Sequence, residues 1–250
     1  MDNSQAYKEK KAFFEKMITL YGRNVVLEVL QDTTINIYKL HMANSNKTDK
    51  TIKKMLLLAK ERGIEVLFHD KKRLSQISKN AKQDQGVAID ILSKSYQDAL
   101  EIQKLHSFKL IALDEIHNPQ NLGMIIRSCA AGNVDGIILP QKNSAKISPL
   151  VVKASAGTLF KIPIYYCQTL LDILPHLKDT TIYALSSYAQ KDIYTIKPSQ
   201  KSIFVLGNES KGVSKDVLQY CNDSLKIPMN RGVESLNVAV TASLIAFLRV

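Results

Sequence analysis

The chain has 250 residues, 45% of them apolar, and a formal net charge of +11. That length buries one large core or two modest ones, and no apolar run approaches the roughly 20 residues of a membrane span. The polar opening from Met1 to Lys11 lacks the apolar stretch of a signal peptide. Three scattered cysteines, Cys129, Cys167 and Cys221, form neither a metal-ligand spacing nor a disulfide framework, which points to a reducing cytoplasm. Lys and Arg exceed Asp and Glu in both halves, a field that favours polyanions because each neutralised phosphate releases counterions. Lys-rich composition also serves solubility, so charge suggests a nucleic acid partner without proving one.

Residues 1–18 read as a basic lead segment. Residues 19–95 then alternate helix-like and strand-like pieces: a helix over Val25 to Leu30, a strand over Ile35 to Leu40, and a helix over Thr51 to Lys60. A strand over Ile64 to Phe68, a short helix over Leu74 to Lys79 and a strand over Val87 to Leu92 complete a small αβα unit. Residues 96–107 are polar and helix-compatible, the expected linker. From 108 to 250 short apolar runs recur at Leu110 to Leu113, Gly136 to Leu139, Ile162 to Tyr166, Ile182 to Leu185, Ile203 to Leu206 and Leu225 to Ile227. Helical pieces lie between them, among them Asn121 to Ala131, closed by Gly132, with Pro149 to Ala154 and Val213 to Cys221. Buried strands alternating with helices predict an α/β fold with a mostly parallel sheet covered on both faces. The apolar stretch from Leu236 to Val250 predicts a buried or interface helix.

Three stretches carry the chemistry: Asn118-Pro119-Gln120-Asn121-Leu122-Gly123-Met124-Ile125-Ile126-Arg127, then Leu206-Gly207-Asn208-Glu209-Ser210-Lys211-Gly212, then Ile227-Pro228-Met229 running on to Glu234-Ser235-Leu236-Asn237-Val238-Ala239. Asn121 and Arg127, six positions apart, point about 120° from each other on a helix. Read alone, Asn121 is an N-cap and Arg127 a solvated arginine. Gly207 lets a ligand approach the backbone. Gly207 and Gly212 open like a phosphate-binding P-loop, yet Val213 follows where that motif needs Lys. Ser235 is a candidate cap of the last helix, and Asn237 inside an apolar helix requires a hydrogen-bond partner. No Gly-x-Gly-x-x-Gly follows a strand, and His41, His69, His106, His117 and His176 suit neither catalytic nor metal-ligand spacing, so none is assigned a role.

In order and spacing the three stretches resemble the signature motifs of the SpoU-type, TrmH-like RNA 2′-O-ribose methyltransferases of the SPOUT superfamily. The resemblance implies a methyltransferase domain over 108–250 whose sheet carries a deep trefoil knot, and a homodimer formed through it. It implies S-adenosyl-L-methionine as cofactor, held by Leu206, Gly207, Ile227, Met229, Leu236 and Ala239, and no metal. It implies catalytic roles for Arg127, Asn121, Glu209, Ser235 and Asn237, with Arg127 acting on the target ribose across the dimer interface. A guanidinium stays charged in proteins, so stabilising the developing alkoxide suits Arg127 better than proton removal.

Tyr21 to Leu30 and Asp84 to Ala88 resemble parts of the RNA substrate-binding domain of that family, although family members often carry histidine where Asn24 and Asp84 stand. A separate RNA-holding domain favours ribosomal RNA over transfer RNA as partner. The layout resembles bacterial enzymes that methylate a guanosine of 23S ribosomal RNA, with Lys53, Lys54, Lys71, Lys72 and Arg73 as candidate phosphate contacts. The rival readings are a transfer RNA ribose methyltransferase, a resistance methylase of ribosomal RNA, and a non-catalytic ribosomal RNA-binding assembly factor.

Overall fold

Two separately packed units, 1–94 and 95–250, make up the computed structural model, which describes residues 17–80, 83–92 and 96–248. Most of the expected lead segment lies outside the described residues. No helix among them is long and apolar enough to cross a membrane.

In the first unit the elements are β1 (Met17–Tyr21), α1 (Arg23–Gln31), β2 (Asn36–Ala43), α2 (Lys50–Glu61), β3 (Glu65–His69), α3 (Lys71–Ser78) and β4 (Val87–Leu92). They form a four-stranded sheet in the order β1-β4-β2-β3, with β2 and β3 parallel and the other pairs antiparallel. The strand β1 was not legible in the sequence: it is five residues long and owes its conformation to pairing along β4, from Met17 opposite Leu92 to Tyr21 opposite Ala88. Strand alternation sends Leu20, Leu40, Met42, Ile89 and Ile91 into a core with Val26 and Leu30 of α1 and Met55 of α2, all fully buried. Asp49 caps α2 by accepting from Ile52 N, and Asp70 caps α3 from Arg73 N.

The opposite parity of the same strands carries a polar ladder. Thr19 Oγ1 donates to Asp90 Oδ1 at 2.6 Å, and Asp90 Oδ2 lies 2.9 Å from His41 Nε2. His41 Nδ1 is in turn 3.0 Å from His69 Nε2. His41 and Asp90 are each 6% exposed, so the carboxylate is buried and depends on these partners. An ionised carboxylate only accepts, which fixes Nε2 of His41 as the donor. Burial, then the charge of His41, pulls the His69 pKa below its ordinary value. The histidines assigned no role in the sequence thus include two that span this sheet.

The second unit contains β5 (Tyr96–Asp98), β6 (Phe108–Leu113), α4 (Pro119–Ala131), β7 (Gly136–Pro140), α5 (Pro149–Ala154), β8 (Ile164–Cys167), β9 (Thr181–Leu185), β10 (Lys191–Asp192), β11 (Lys201–Leu206), α6 (Lys215–Leu218), β12 (Asp223–Lys226) and α7 (Val238–Ala246). The eight strands run in the order β10-β12-β9-β11-β6-β7-β8-β5, and every neighbouring pair is parallel. All eight carboxyl ends therefore emerge on one edge, where open α/β sheets bind ligands. The six expected strands all form. The segment 96–107, expected as a linker, is instead the outermost strand β5 paired with β8, followed by a 3-10 turn over Ala99–Lys104 that buries Ala99 and Ile102 in the core.

The helix α7 is held by an unusual group. Lys109, the second residue of β6 and 7% exposed, sends Nζ to Ile245 O at 2.7 Å and Leu248 O at 3.1 Å, capping the last turn. Burial lowers its pKa. Beside it Ser128 Oγ of α4 and Ser243 Oγ of α7 lie 2.7 Å apart, and Asn133 N donates to Ala246 O at 2.7 Å. A Cβ on Gly132 would stand 2.6 Å from Ala246 O, so this glycine serves close helix crossing and has an extended backbone rather than the left-handed one usual past a helix end.

Two predictions concern stability. Asp90→Asn removes an acceptor from the half-buried Thr19 and the buried His41 and should cost about 3 kcal/mol in urea unfolding followed by circular dichroism; an unchanged midpoint would contradict the ladder. Burial also pushes the Cys129 thiol up to about 12 against an ordinary value of 9.0. The folded chain then keeps a proton that the unfolded chain releases, so stability from this burial is complete below pH 9 and is lost as pH rises toward 12. Cys129→Ala should flatten that alkaline decline, read as melting temperature against pH.

Candidate functional site at the carboxyl edge of the parallel sheet

The chain leaves β11 at Leu206, buried, and turns at Gly207. A Cβ there would lie 2.1 Å from Gly212 C and Val213 N, so the glycine is demanded first by the chain's own turn. The turn is closed by Gly212 N donating to Asn208 O at 2.8 Å, while Asn208 Oδ1 accepts from Ser210 N and Lys211 N. Asn208 Nδ2 reaches Glu115 O at 3.1 Å, and Asp114 Oδ2 accepts from Ser214 N at 2.7 Å. The loops after β6 and β11 are thereby fastened together. A P-loop would lead into a helix from its second glycine, whereas Gly212 bridges back to Asn208.

Glu209 sits at the apex of this turn. Its Oε1 accepts from Asn121 Nδ2 at 2.5 Å, and Asn121 Oδ1 accepts from Asn237 Nδ2 at 3.2 Å. Asn237 Oδ1 accepts from Ala239 N at 2.8 Å, which makes Asn237 the N-cap of α7. The direction of the whole chain follows from its two ends. The backbone N–H at Ala239 can only donate and the ionised carboxylate of Glu209 can only accept, so both amides between them are oriented without ambiguity. Asn121 is 7% exposed. The cap of α4 is Asn118, accepting from Gln120 N, with Pro119 in the first turn.

The structure therefore joins Asn121, Glu209, Asn237 and, through its N–H, Ala239. Two readings of the sequence are corrected: Asn237 stands at the start of α7 rather than inside it, and Ser235, exposed ahead of the helix, is not its cap. Ile227 follows β12 directly and is half-buried, as is Met229; Leu236, next to Asn237, is 36% exposed. Arg127 projects from α4 into solvent and makes no hydrogen bond or ion pair with a described residue. Asn208 and Asp114, which hold the turn, were not singled out. Nor was the segment after β9, which emerges between the ends of β11 and β12 because β9 pairs with both. Parallel neighbours far apart in sequence leave no spacing signal.

An all-parallel sheet with a rigid backbone turn and an oriented amide chain at its carboxyl edge defines an α/β protein of the class that binds ligands at that edge. Residues 109–247 match the SpoU rRNA Methylase family, and residues 19–97 match a family described as RNA 2′-O ribose methyltransferase substrate binding. The chain belongs to the SpoU rRNA methylase family. It is 30% identical over 233 residues, covering 90% of this chain and 92% of the other, to a protein of Bacillus subtilis (strain 168) named as a TrmH family tRNA/rRNA methyltransferase, YacO. It is 31% identical over 231 residues, 90% of this chain and 73% of the other, to an uncharacterized tRNA/rRNA methyltransferase of Mycolicibacterium gilvum. Among solved structures, an AdoMet-bound rRNA methyltransferase from Sinorhizobium meliloti shares the fold with a TM-score of 0.73 at 23% identity, over 95% of this chain and 88% of the other. The SpoU methyltransferase AviRb from Streptomyces viridochromogenes, in complex with AdoMet, gives 0.74 at 19% identity, over 93% and 89%.

Because Gly207 faces its own backbone, Gly207→Ala should cost about 1–3 kcal/mol through overpacking before any ligand is considered. Thermal unfolding of the ligand-free protein checks this, and a melting temperature equal to that of the parent would contradict it.

Proposed function

We propose that the chain is an S-adenosyl-L-methionine-dependent enzyme that methylates the 2′-oxygen of a guanosine ribose in 23S ribosomal RNA. The observation that carries this reading is the hydrogen-bonded chain Asn237 to Asn121 to Glu209, which draws all three sequence motifs into one place at the sheet's carboxyl edge. Ribosomal RNA as the partner is supported by the charge of +11, by the family's description, and by the substrate-binding match over the first unit, where Lys53, Lys54, Lys71, Lys72 and Arg73 are exposed.

The residues present fit the cofactor. Leu206, Gly207, Ile227, Met229, Leu236 and Ala239 offer backbone groups for an adenosine, Ile227 and Met229 add half-buried apolar side chains, and the Glu209 carboxylate suits a cationic sulfonium. When bound, S-adenosyl-L-methionine supplies an electrophilic methyl group. Asn121 and Asn237 keep Glu209 aimed, and Ser235, exposed beside Leu236, lies in the segment that leads into the site. Arg127, exposed and with no hydrogen bond or ion pair among the described residues, stabilises the alkoxide that develops on the ribose through its guanidinium charge.

A homodimer through the second unit accounts for Arg127 standing apart from the amide chain. Met124, Val240 and Phe247, on or next to the packed helices α4 and α7, are 41%, 47% and 60% exposed, an apolar surface beside Arg127 that a second copy would cover. A trefoil knot is supported by the path of the chain, which runs from β12, outside β9, back to α7 against α4 and the Gly207 turn.

Arg127→Ala should lower methyl transfer at least about a hundredfold while donor affinity stays within several-fold. Transfer from labelled donor into total RNA, followed by locating the label, is the measurement. Full activity in the variant removes Arg127 from the mechanism, and label confined to transfer RNA replaces the ribosomal target.

A further inference from the structure

The segment Ser186 to Gln190 connects β9 to β10 at the carboxyl edge, between the ends of the two strands that lead to Gly207 and Ile227. Its turn is fixed at several points. Ser186 N donates to Leu225 O at 2.9 Å, tying the turn to β12; Tyr188 N donates to Ser186 Oγ at 3.2 Å; Ala189 N donates to Ser186 O at 3.2 Å. Ala189 is buried at 9%, and the following strand is held by the Lys191–Asp223 ion pair. Between these anchors the Tyr188 ring is 91% exposed, the most exposed large apolar side chain among the described residues. A single exposed aromatic needs no explanation on a mobile loop. Here the backbone on both sides is tied down, so the ring is displayed rather than left loose.

Chemistry on a ribose 2′-oxygen requires the nucleotide to be free of regular helix, and an RNA strand opened in this way exposes the flat faces of its bases. An aromatic ring on a rigid turn receives such a face with little loss of side-chain entropy, since tyrosine has only two rotatable side-chain bonds. Exposed Lys142 and Lys146 after β7, Lys211 after β11 and Arg231 after β12 put cations on the same edge for the flanking phosphates. We infer that Tyr188 is a stacking platform for a base of the RNA substrate, next to the nucleotide that is methylated. This rests on the reading of the carboxyl edge as the site where RNA meets the methyl donor. It adds a residue that none of the three motifs contains.

The chain has no tryptophan, so Tyr188→Trp places a sole indole at this position. In the full-length variant, a single-stranded adenosine oligonucleotide should quench that fluorescence, and S-adenosyl-L-methionine alone should leave it unchanged. Quenching by the donor alone would assign Tyr188 to the cofactor's adenine and overturn the proposal, as would absence of quenching by RNA at concentrations where RNA binding is seen by gel shift. In methyl transfer to ribosomal RNA, Tyr188→Leu should raise the KM for RNA about ten- to a hundredfold, with kcat and donor affinity within about twofold, and Tyr188→Phe should match the parent. An unchanged KM in Tyr188→Leu also overturns it. If the parent protein transfers no methyl to RNA, the functional reading fails, and the oligonucleotide titration still decides the stacking.

Discussion

The one-way run of hydrogen bonds from Ala239 N–H through Asn237 and Asn121 to Glu209 is the interaction that joins the second unit's three motifs. It begins at a backbone donor and ends at an anion, so neither amide can flip without setting two like groups against each other. The three motifs come from helix starts and a strand end separated by about ninety and thirty residues, and they meet only because the parallel sheet delivers all of its carboxyl ends to one edge. The fold positions the site by register, and the amides then fix its orientation.

Rigidity at this edge is supplied mostly by backbone. The Gly207 turn is closed on itself, fastened through Asn208 to Glu115 and through Asp114 to Ser214, and contains no room for a Cβ at its first position. Two exposed side chains stand outside this frame: Arg127 on α4 and Tyr188 beyond β9. Such a division suits a site that holds one ligand through main-chain groups and a larger one through side chains.

Much of this architecture was legible in the sequence where periodicity and burial agree. Each of the six short apolar runs in the second half became a strand of the parallel sheet, and the segment ending at Ala131 became α4. What escaped reading depends on partners distant in sequence. The strands β1, β5 and β10 are two to five residues long and exist through pairing with β4, β8 and β12. The motif residues were recognised as a set, yet their geometry was not: Asn237 seemed to lie within a helix, because the apolar run before and after it hides the point where α7 begins. His41 and His69, 28 residues apart, carry no spacing signal for a ladder that crosses four strands.

Lys109 ties the first long strand of the second unit to carbonyls 136 and 139 residues later. An ammonium group enclosed in a sheet with no acceptor is strongly disfavoured, so β6 cannot settle into its final surroundings until α7 has arrived. Burial of β6 and docking of α7 are therefore coupled.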